Sequence, residues 1–308
     1  MIEKRNTGIS GALDEIAGAL IATYADGVGV NPTSDESFPR RREVIELTEK
    51  LLELVFPGFD RDNSGAPSTE TLLREAYDKL TGQICRALRS ADKKVRCDCA
   101  SKCRCSPNDR CSNAAMALLR ELPGLREIVK KDVAAGYAGD PAATSFDEIV
   151  LSYPGLKAVT VQRLAHVLYT QNIPLLPRMM TEYVHSQTGI DIHPGAKLGA
   201  GIFIDHGTGV VIGETAVLGD NVRIYQGVTL GAGNFPKDAC GMLIKGLKRH
   251  PTIGSNVTIY SGASVLGDVT IGDNSVIGGN VWLTESLPEG TKITARPPDN
   301  KLRFAGKK

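Results

Sequence analysis

The chain has 308 residues and carries 36 Lys and Arg against 35 Asp and Glu, a formal net charge of +1 at pH 7. That length exceeds one average domain, and the near-balance of charge, with no block of Lys or Arg, removes any electrostatic case for nucleic acid or an anionic membrane as partner. The opening residues, MIEKRNTGISGALDEIAGALIATYADG, interrupt their apolar run with Asp14 and Glu15; this fits neither a signal peptide nor a spanning helix, so a cytoplasmic protein is expected.

In chain order, residues 9–25, 39–56, 68–91 and 112–136 are predicted to be amphipathic helices. In RRREVIELTEKLLELVF, for example, Val44, Leu47, Leu51, Leu52 and Val55 recur at helical spacing, and core packing is their expected role. PGFDRDNSGAPS is a loop, and Ser68 ahead of Glu70 marks a helix start. The fourth helix is expected to break at Pro123-Gly124, with the segment ending at Gly139-Asp140-Pro141. Three further helical stretches, SFDEIVLSY, LKAVTVQRLAHVLYTQ and LPRMMTEYVHSQT, are separated by Pro154-Gly155 and Asn172-Ile173-Pro174. His166 and His185 lie in them and are expected to be structural.

Five of the seven cysteines, Cys97, Cys99, Cys103, Cys105 and Cys111, crowd into RCDCASKCRCSPNDRC. In a reducing compartment such a cluster favours metal or free thiols over disulfides, although it lacks the paired CxxC units of standard zinc sites. Cys85 and Cys240 stand alone and are expected to be small packed side chains.

From residue 190 the pattern changes. Every sixth position is aliphatic: Ile192, Leu198 and Ile204, then after one interval of eight Ile212, Leu218, Ile224 and Leu230; a second run takes Ile253, Ile259, Val265, Ile271, Ile277 and Leu283. A fixed period of six, with Gly, Asp and Asn between, is too short for a helical repeat and predicts a parallel β-helix whose triangular coils stack aliphatic residues inside. The fold class is therefore α+β: an all-helical domain over residues 1–189, a β-helix over 190–286, and a tail over 287–308 that loses the repeat. Two interruptions carry titratable groups. The eight-residue interval holds Asp205-His206-Gly207-Thr208-Gly209, and the excursion over residues 231–252 ends in Lys248-Arg249-His250-Pro251. Departures from local regularity are where function is expected.

His193, His206 and His250 lie 13 and 44 residues apart, intervals that speak against a metal site, and none is expected. The favoured chemistry is acid–base. His206 follows Asp205, Asp191 lies 14 residues before that acid, roughly two short sides plus a bulge back along the coil, and a carboxylate on one ring nitrogen leaves the other free as a base. Such a base suits deprotonation of a hydroxyl or amine attacking an acyl donor.

DIHPGAKLGAGIFIDHGTGVVIGETAVLGDNVRIYQGVTLG followed by KRHPTIG closely resembles the serine O-acetyltransferases, hexapeptide-repeat enzymes that acetylate L-serine with acetyl-CoA in cysteine biosynthesis. DIHP, DHGTG, GET, VTLG and RHP occur in family order, over about residues 137–285; the first 110 residues match only in helical character. The resemblance implies a left-handed β-helix, His206 as general base and Asp191 as its orienting acid. It implies Asp140 and Asp205 at the serine ammonium, Arg249 at the carboxylate and His250 as a positioning group. Gly231, Ala232, Ser261, Gly262, Gly279 and Asn280 match positions whose backbone meets coenzyme A, where small residues permit close approach. It further implies no bound cofactor, a homotrimer with active sites between protomers, a dimer of trimers through the helical domains, and feedback inhibition by L-cysteine. The chain ends Ala305-Gly306-Lys307-Lys308 rather than in the isoleucine by which many members dock on O-acetylserine sulfhydrylase, so that complex is not expected. The competing readings are an acyltransferase for another acceptor, which Asp140 and Arg249 argue against, and a noncatalytic or metal-binding relative of the fold.

Overall fold

The computed structural model describes residues 3–24, 38–59, 67–92 and 107–296. Helix α1 (Glu3–Thr23) belongs to a unit of its own, residues 1–38, and its side chains Leu13, Ile16, Leu20 and Ile21 are exposed. The remaining elements belong to the second unit.

That unit begins with α2 (Arg41–Val55), α3 (Thr69–Asp92), α4 (Pro107–Gly139), α5 (Phe146–Ser152), α6 (Pro154–Thr170) and α7 (Leu176–Thr188). The helices exist because each can bury one stripe: Val44, Leu47 and Leu51 of α2, Ala76, Leu80 and Ile84 of α3, and Ala115, Leu118 and Leu122 of α4 share one core. Two expectations are corrected here. Pro123 does not break α4, which runs to Gly139. A proline there forfeits one intrahelical hydrogen bond, but Leu118, Leu122 and Val129 around it are buried, and packing outweighs local propensity. Second, Cys111 does not belong to a thiol cluster: the packing of α3 on α4 brings it to Cys85, 26 residues away, at 5.4 Å between Cα atoms, and the two form a disulfide. Cys97, Cys99, Cys103 and Cys105 lie outside the described residues.

A buried ion pair ties the helices to the backbone of Leu198, Gly199 and Ile202. Arg163 of α6 meets Asp132 of α4 through Nε and Nη2, at 2.9 and 3.0 Å, and also donates to the carbonyls of Leu198 and Gly199. Asp132 in turn accepts from the Ile202 amide at 2.8 Å. Every side-chain nitrogen and oxygen of the pair has a partner, which is the condition for tolerating charge in an apolar interior.

Beyond α7 the chain winds into the β-helix. Strands β1 (Asp191–Ile192), β4 (Val211–Ile212), β7 (Thr229–Gly231), β10 (Ser264–Leu266) and β13 (Trp282–Leu283) make the first face. The second holds β2 (Lys197–Leu198), β5 (Val217–Leu218), β8 (Thr252–Ile253) and β11 (Thr270–Ile271). The third holds β3 (Phe203–Ile204), β6 (Arg223–Ile224), β9 (Thr258–Ile259), β12 (Val276–Ile277) and β14 (Lys292–Ile293). All pairings between these strands are parallel and keep the six-residue beat in register: Ile204 beside Ile224 beside Ile259 beside Ile277. A second inward row, two residues before each beat, is filled by small or β-branched side chains such as Val210, Ala216, Val222 and Val257, all fully buried. Pairing continues past residue 286, where Leu287 bridges Ile271 and β14 joins β12.

Candidate active site

The eight-residue interval is resolved by the backbone ladder. The Asp205 amide donates to Ile224, as the Tyr225 amide does to Ile259, while the Gly227 amide donates to Thr208 and the Gly262 amide to Gln226. Asp205 thus aligns with Tyr225, and Thr208 with Gln226, so His206 and Gly207 are the two inserted residues. They form a bulge at the edge where the third face turns into the first. His206 sits there at φ 57°, a left-handed conformation that costs a non-glycine residue energy and concentrates at functional positions. The bulge projects the imidazole into solvent, with 70% of its side chain exposed.

Around it stand Asp205 and Asp140, while the carboxylate of Asp191 turns to Arg178. Asp205 Oδ1 lies 3.5 Å from His206 Nδ1. Asp140, just past the end of α4, is held by the Tyr153 hydroxyl, which donates to Oδ2 at 2.6 Å, and by the Ala142 amide at 2.8 Å. These bonds, the tyrosine's first, hold the Asp140 carboxyl below the usual aspartate range, and the His206 imidazole adds to the effect. In return the Asp140 bond pushes the Tyr153 phenol up to about 12, with the Asp205 charge contributing. Tyr153 can reach this edge because Gly155 packs α6 on β3: a Cβ there would come within 2.2 Å of the Ile204 carbonyl oxygen. Asp191 opens β1 on the first face, with its carboxylate 3.8 Å from Arg178. It also lies near Glu182 and His185, a trio whose ligand atoms fall within 4.8 Å of one another. Arg178 already pairs with Glu182, so a cation occupies that position.

The second set lies at a different edge, where the first face turns into the second. Arg249 pairs with Glu214, whose other oxygen accepts from the Tyr169 hydroxyl at 2.7 Å. Burial raises the Glu214 carboxyl, but the bonds from Tyr169 and Arg249 outweigh it and hold it below its usual range. His250 is buried; its Nδ1 accepts from the Thr215 amide at 3.1 Å, which leaves the proton on Nε2. Burial, with Arg249 beside it, pushes its pKa down to about 4, so the ring is neutral. Gly213 makes room for that ring, since a Cβ would stand 2.0 Å from its Cδ2. His193 packs edge-on against Tyr169 and accepts from the Gly195 amide. Lys248, itself exposed, donates to the Thr215 carbonyl at 2.6 Å. A cleft of about 760 Å³ opens here beneath the excursion, walled by Phe235, Leu243 and Ile244 and including Arg249 and Glu214.

The six small residues divide the same way. Ser261 and Gly279 align with Thr208, and Gly262 and Asn280 with Gly209, next to the base; Gly231 closes β7, and Ala232 follows it, at the Arg249 edge. Sequence reasoning missed Tyr153, Tyr169 and Thr215, which act through contacts made only in the folded chain; the sole signal was Glu214 within GET.

A parallel β-helix of six-residue turns with a carboxylate-flanked imidazole at one corner defines a hexapeptide-repeat transferase. Residues 250–285 match the family model described as bacterial transferase hexapeptide (six repeats). A serine acetyltransferase of Synechococcus elongatus is 44% identical over 292 residues, covering 92% of this chain and 91% of that protein. Among solved structures, serine acetyltransferase isoform 3 of Entamoeba histolytica in complex with cysteine superposes with a TM-score of 0.68 at 35% identity, over 96% of each chain. The serine acetyltransferase of Neisseria gonorrhoeae in complex with serine gives 0.54 at 28% identity, over 82% of this chain and 95% of that one. The chain belongs to the serine acetyltransferase family.

Proposed function

We propose that the chain transfers the acetyl group of acetyl-CoA to the hydroxyl of L-serine, giving O-acetyl-L-serine and CoA, the first step of cysteine biosynthesis from serine, in the cytoplasm. Its family membership supports the reaction, and the observation that carries the residue roles is the division of the site between two prism edges. One edge offers an exposed imidazole beside Asp140 and Asp205, groups suited to a hydroxyl and an ammonium. The other offers a guanidinium and a neutral Nε2–H donor, suited to a carboxylate. An amino acid needs both, so the site is completed where the two edges of neighbouring protomers face each other in a homotrimer.

In that seam Asp140 and Asp205 hold the serine ammonium while Arg249 and His250 hold its carboxylate. His206 takes the hydroxyl proton as the oxygen attacks the thioester carbonyl, with Asp191 and the adjoining first face setting the ring's orientation. The tetrahedral oxyanion collapses, the C–S bond breaks, and the imidazolium returns its proton to the departing CoA thiolate. The donor lies along the edge, over Ser261, Gly262, Gly279 and Asn280 of one protomer and Gly231 and Ala232 of the next. No resident cofactor is needed for these steps. L-cysteine differs from serine at one atom and occupies the relative from E. histolytica; it acts here as a feedback inhibitor in the serine site. The helical domains pair two trimers.

The test is CoA release from acetyl-CoA with L-serine against a panel of sugars and other amino acids, on wild type and His206→Ala. Strong preference for serine and a loss of about 100- to 10,000-fold in turnover for the variant are expected. Equal turnover with serine and an unrelated sugar alcohol refutes the assignment.

A further inference from the structure

Next to the base, the same edge carries two aromatic residues that the reaction scheme leaves unused. Tyr225 and Tyr260 continue the column begun by Asp205, each one coil further along the prism, as the ladder from the Asp205, Tyr225 and Tyr260 amides shows. Their rings stack at 5.2 Å between centroids with planes 11° apart. Tyr225 is half-buried and Tyr260 is 44% exposed. The next coil places Gly278 in this column, so the aromatic wall is confined to the two coils after Asp205. Alongside runs a floor of glycines, Gly209, Gly227 and Gly262, closed at its far end by Asn280, whose Oδ1 lies over Gly262; Gly227 and Gly262 share φ 71° and lie so close that an added Cβ on the first would meet the second at 3.5 Å.

A stacked aromatic wall beside a bare backbone floor suits an extended arm of methylenes and amides: ring faces cover the methylenes, and the backbone approaches closely. Adjacent coils are about 4.8 Å apart, so Tyr225 stands within one side chain's reach of the group that His206 serves, and Tyr260 one step beyond. We infer that Tyr225 and Tyr260 wall the groove of the acyl donor, Tyr225 limiting the size of the acyl group and Tyr260 packing on the thioester-proximal arm. The inference rests on the acetyl-transfer reading above.

Steady-state kinetics of the full chain test it, using wild type, Tyr225→Ala, Tyr260→Gly and Tyr260→Phe with acetyl-, propionyl- and butyryl-CoA and with serine varied separately. Glycine is already accommodated in this column at Gly278, so Tyr260→Gly is expected to fold. It raises the KM for acetyl-CoA about tenfold and leaves the KM for serine unchanged, while Tyr260→Phe stays near wild type. Tyr225→Ala raises the propionyl-to-acetyl ratio of kcat/KM about tenfold, the scale of one methylene's discrimination. An active wild type whose variants keep both the donor KM and the donor ratio overturns the inference. So does a rise in both KM values together with a smaller particle by light scattering, which would make the pair a contact between protomers. A wild type inactive on serine sinks the acetyl-transfer reading instead. Calorimetric titration with CoA then decides this inference separately: about tenfold weaker binding by Tyr260→Gly supports it, and equal affinity overturns it.

Discussion

The two edges of the prism treat their histidines in opposite ways. His206 is exposed, in a left-handed bulge, and among the described residues its one charged neighbour at ion-pair distance, Asp205, is 3.5 Å away. His250 is 7% exposed, fixed by Thr215 and neutral down to a pH of about 4. A base must change protonation in every cycle, so an exposed ring with an unshared nitrogen suits it. A donor that recognises a carboxylate must keep its proton in place, and burial with a fixed tautomer achieves that. The difference teaches that residue type alone does not assign a role: the same imidazole becomes base or donor according to solvent and hydrogen bonding.

The largest effect that can break this comparison concerns whether the edges belong to one working site. His206→Ala and Arg249→Ala each lose activity alone. If the edges of neighbouring protomers meet, unfolding and refolding an equal mixture yields trimers of which three-quarters are mixed, each with one intact seam in three. About a quarter of wild-type activity should then return. Activity of the mixture no higher than that of the separate variants would place both edges' work within single protomers.

A smaller effect sharpens the Arg249 edge. The guanidinium binds Glu214 while still facing the cleft, a task for a planar fork that an ammonium cannot reproduce. Arg249→Lys should raise the serine KM on the order of tenfold with the acetyl-CoA KM unchanged. An unchanged serine KM would remove Arg249 from carboxylate recognition. Smaller still is the effect of Tyr153→Phe, which deletes the hydroxyl that holds Asp140. Losing one such bond should raise the serine KM about fivefold. Because that bond is the first cause of the lowered Asp140 pKa, the acid limb of kcat/KM for serine should also move to higher pH. A packing defect alone would leave that limb where it is.

How much of the molecule is readable from its sequence depends on how locally each feature is encoded. The β-helix was legible because every coil must bury an aliphatic residue at the same place, so Ile204, Ile224, Ile259 and Ile277 mark the register in one dimension. The bulge was legible as an arithmetic fault, eight where six was due. The braces were not. Tyr153, at the join of α5 and α6, and Tyr169, in α6, lie 13 residues after and 45 residues before the carboxylates they hold, and helical periodicity says only that such positions face something. Nor was the pairing of Cys85 with Cys111 legible, since it depends on how α3 lies on α4. Pro123 misled because its local penalty is plain in sequence, whereas the burial of Leu118, Leu122 and Val129 that outweighs it is not.

The smallest effect tests the His250 side of the comparison through stability. A histidine whose folded pKa is depressed from near 6.5 to about 4 takes up its proton in the unfolded chain first as the pH falls. The unfolded state therefore gains protons relative to the folded one between about pH 6.5 and 4, and stability is lost through that window. Above it the ring is neutral in both states and contributes no pH dependence. His250→Gln has no proton to gain there. Its melting temperature should lie below wild type at pH 7.5, where the packed imidazole and its Thr215 bonds are intact, and the gap should narrow as the pH is lowered to 4.5. Carboxylates that titrate over the same range act on both proteins and cancel in the difference. A gap that stays constant would mean that the ring is protonated in the folded protein near its ordinary pKa, and one that widens that its folded pKa is raised; in either case the contrast between a buried donor and an exposed base would not hold.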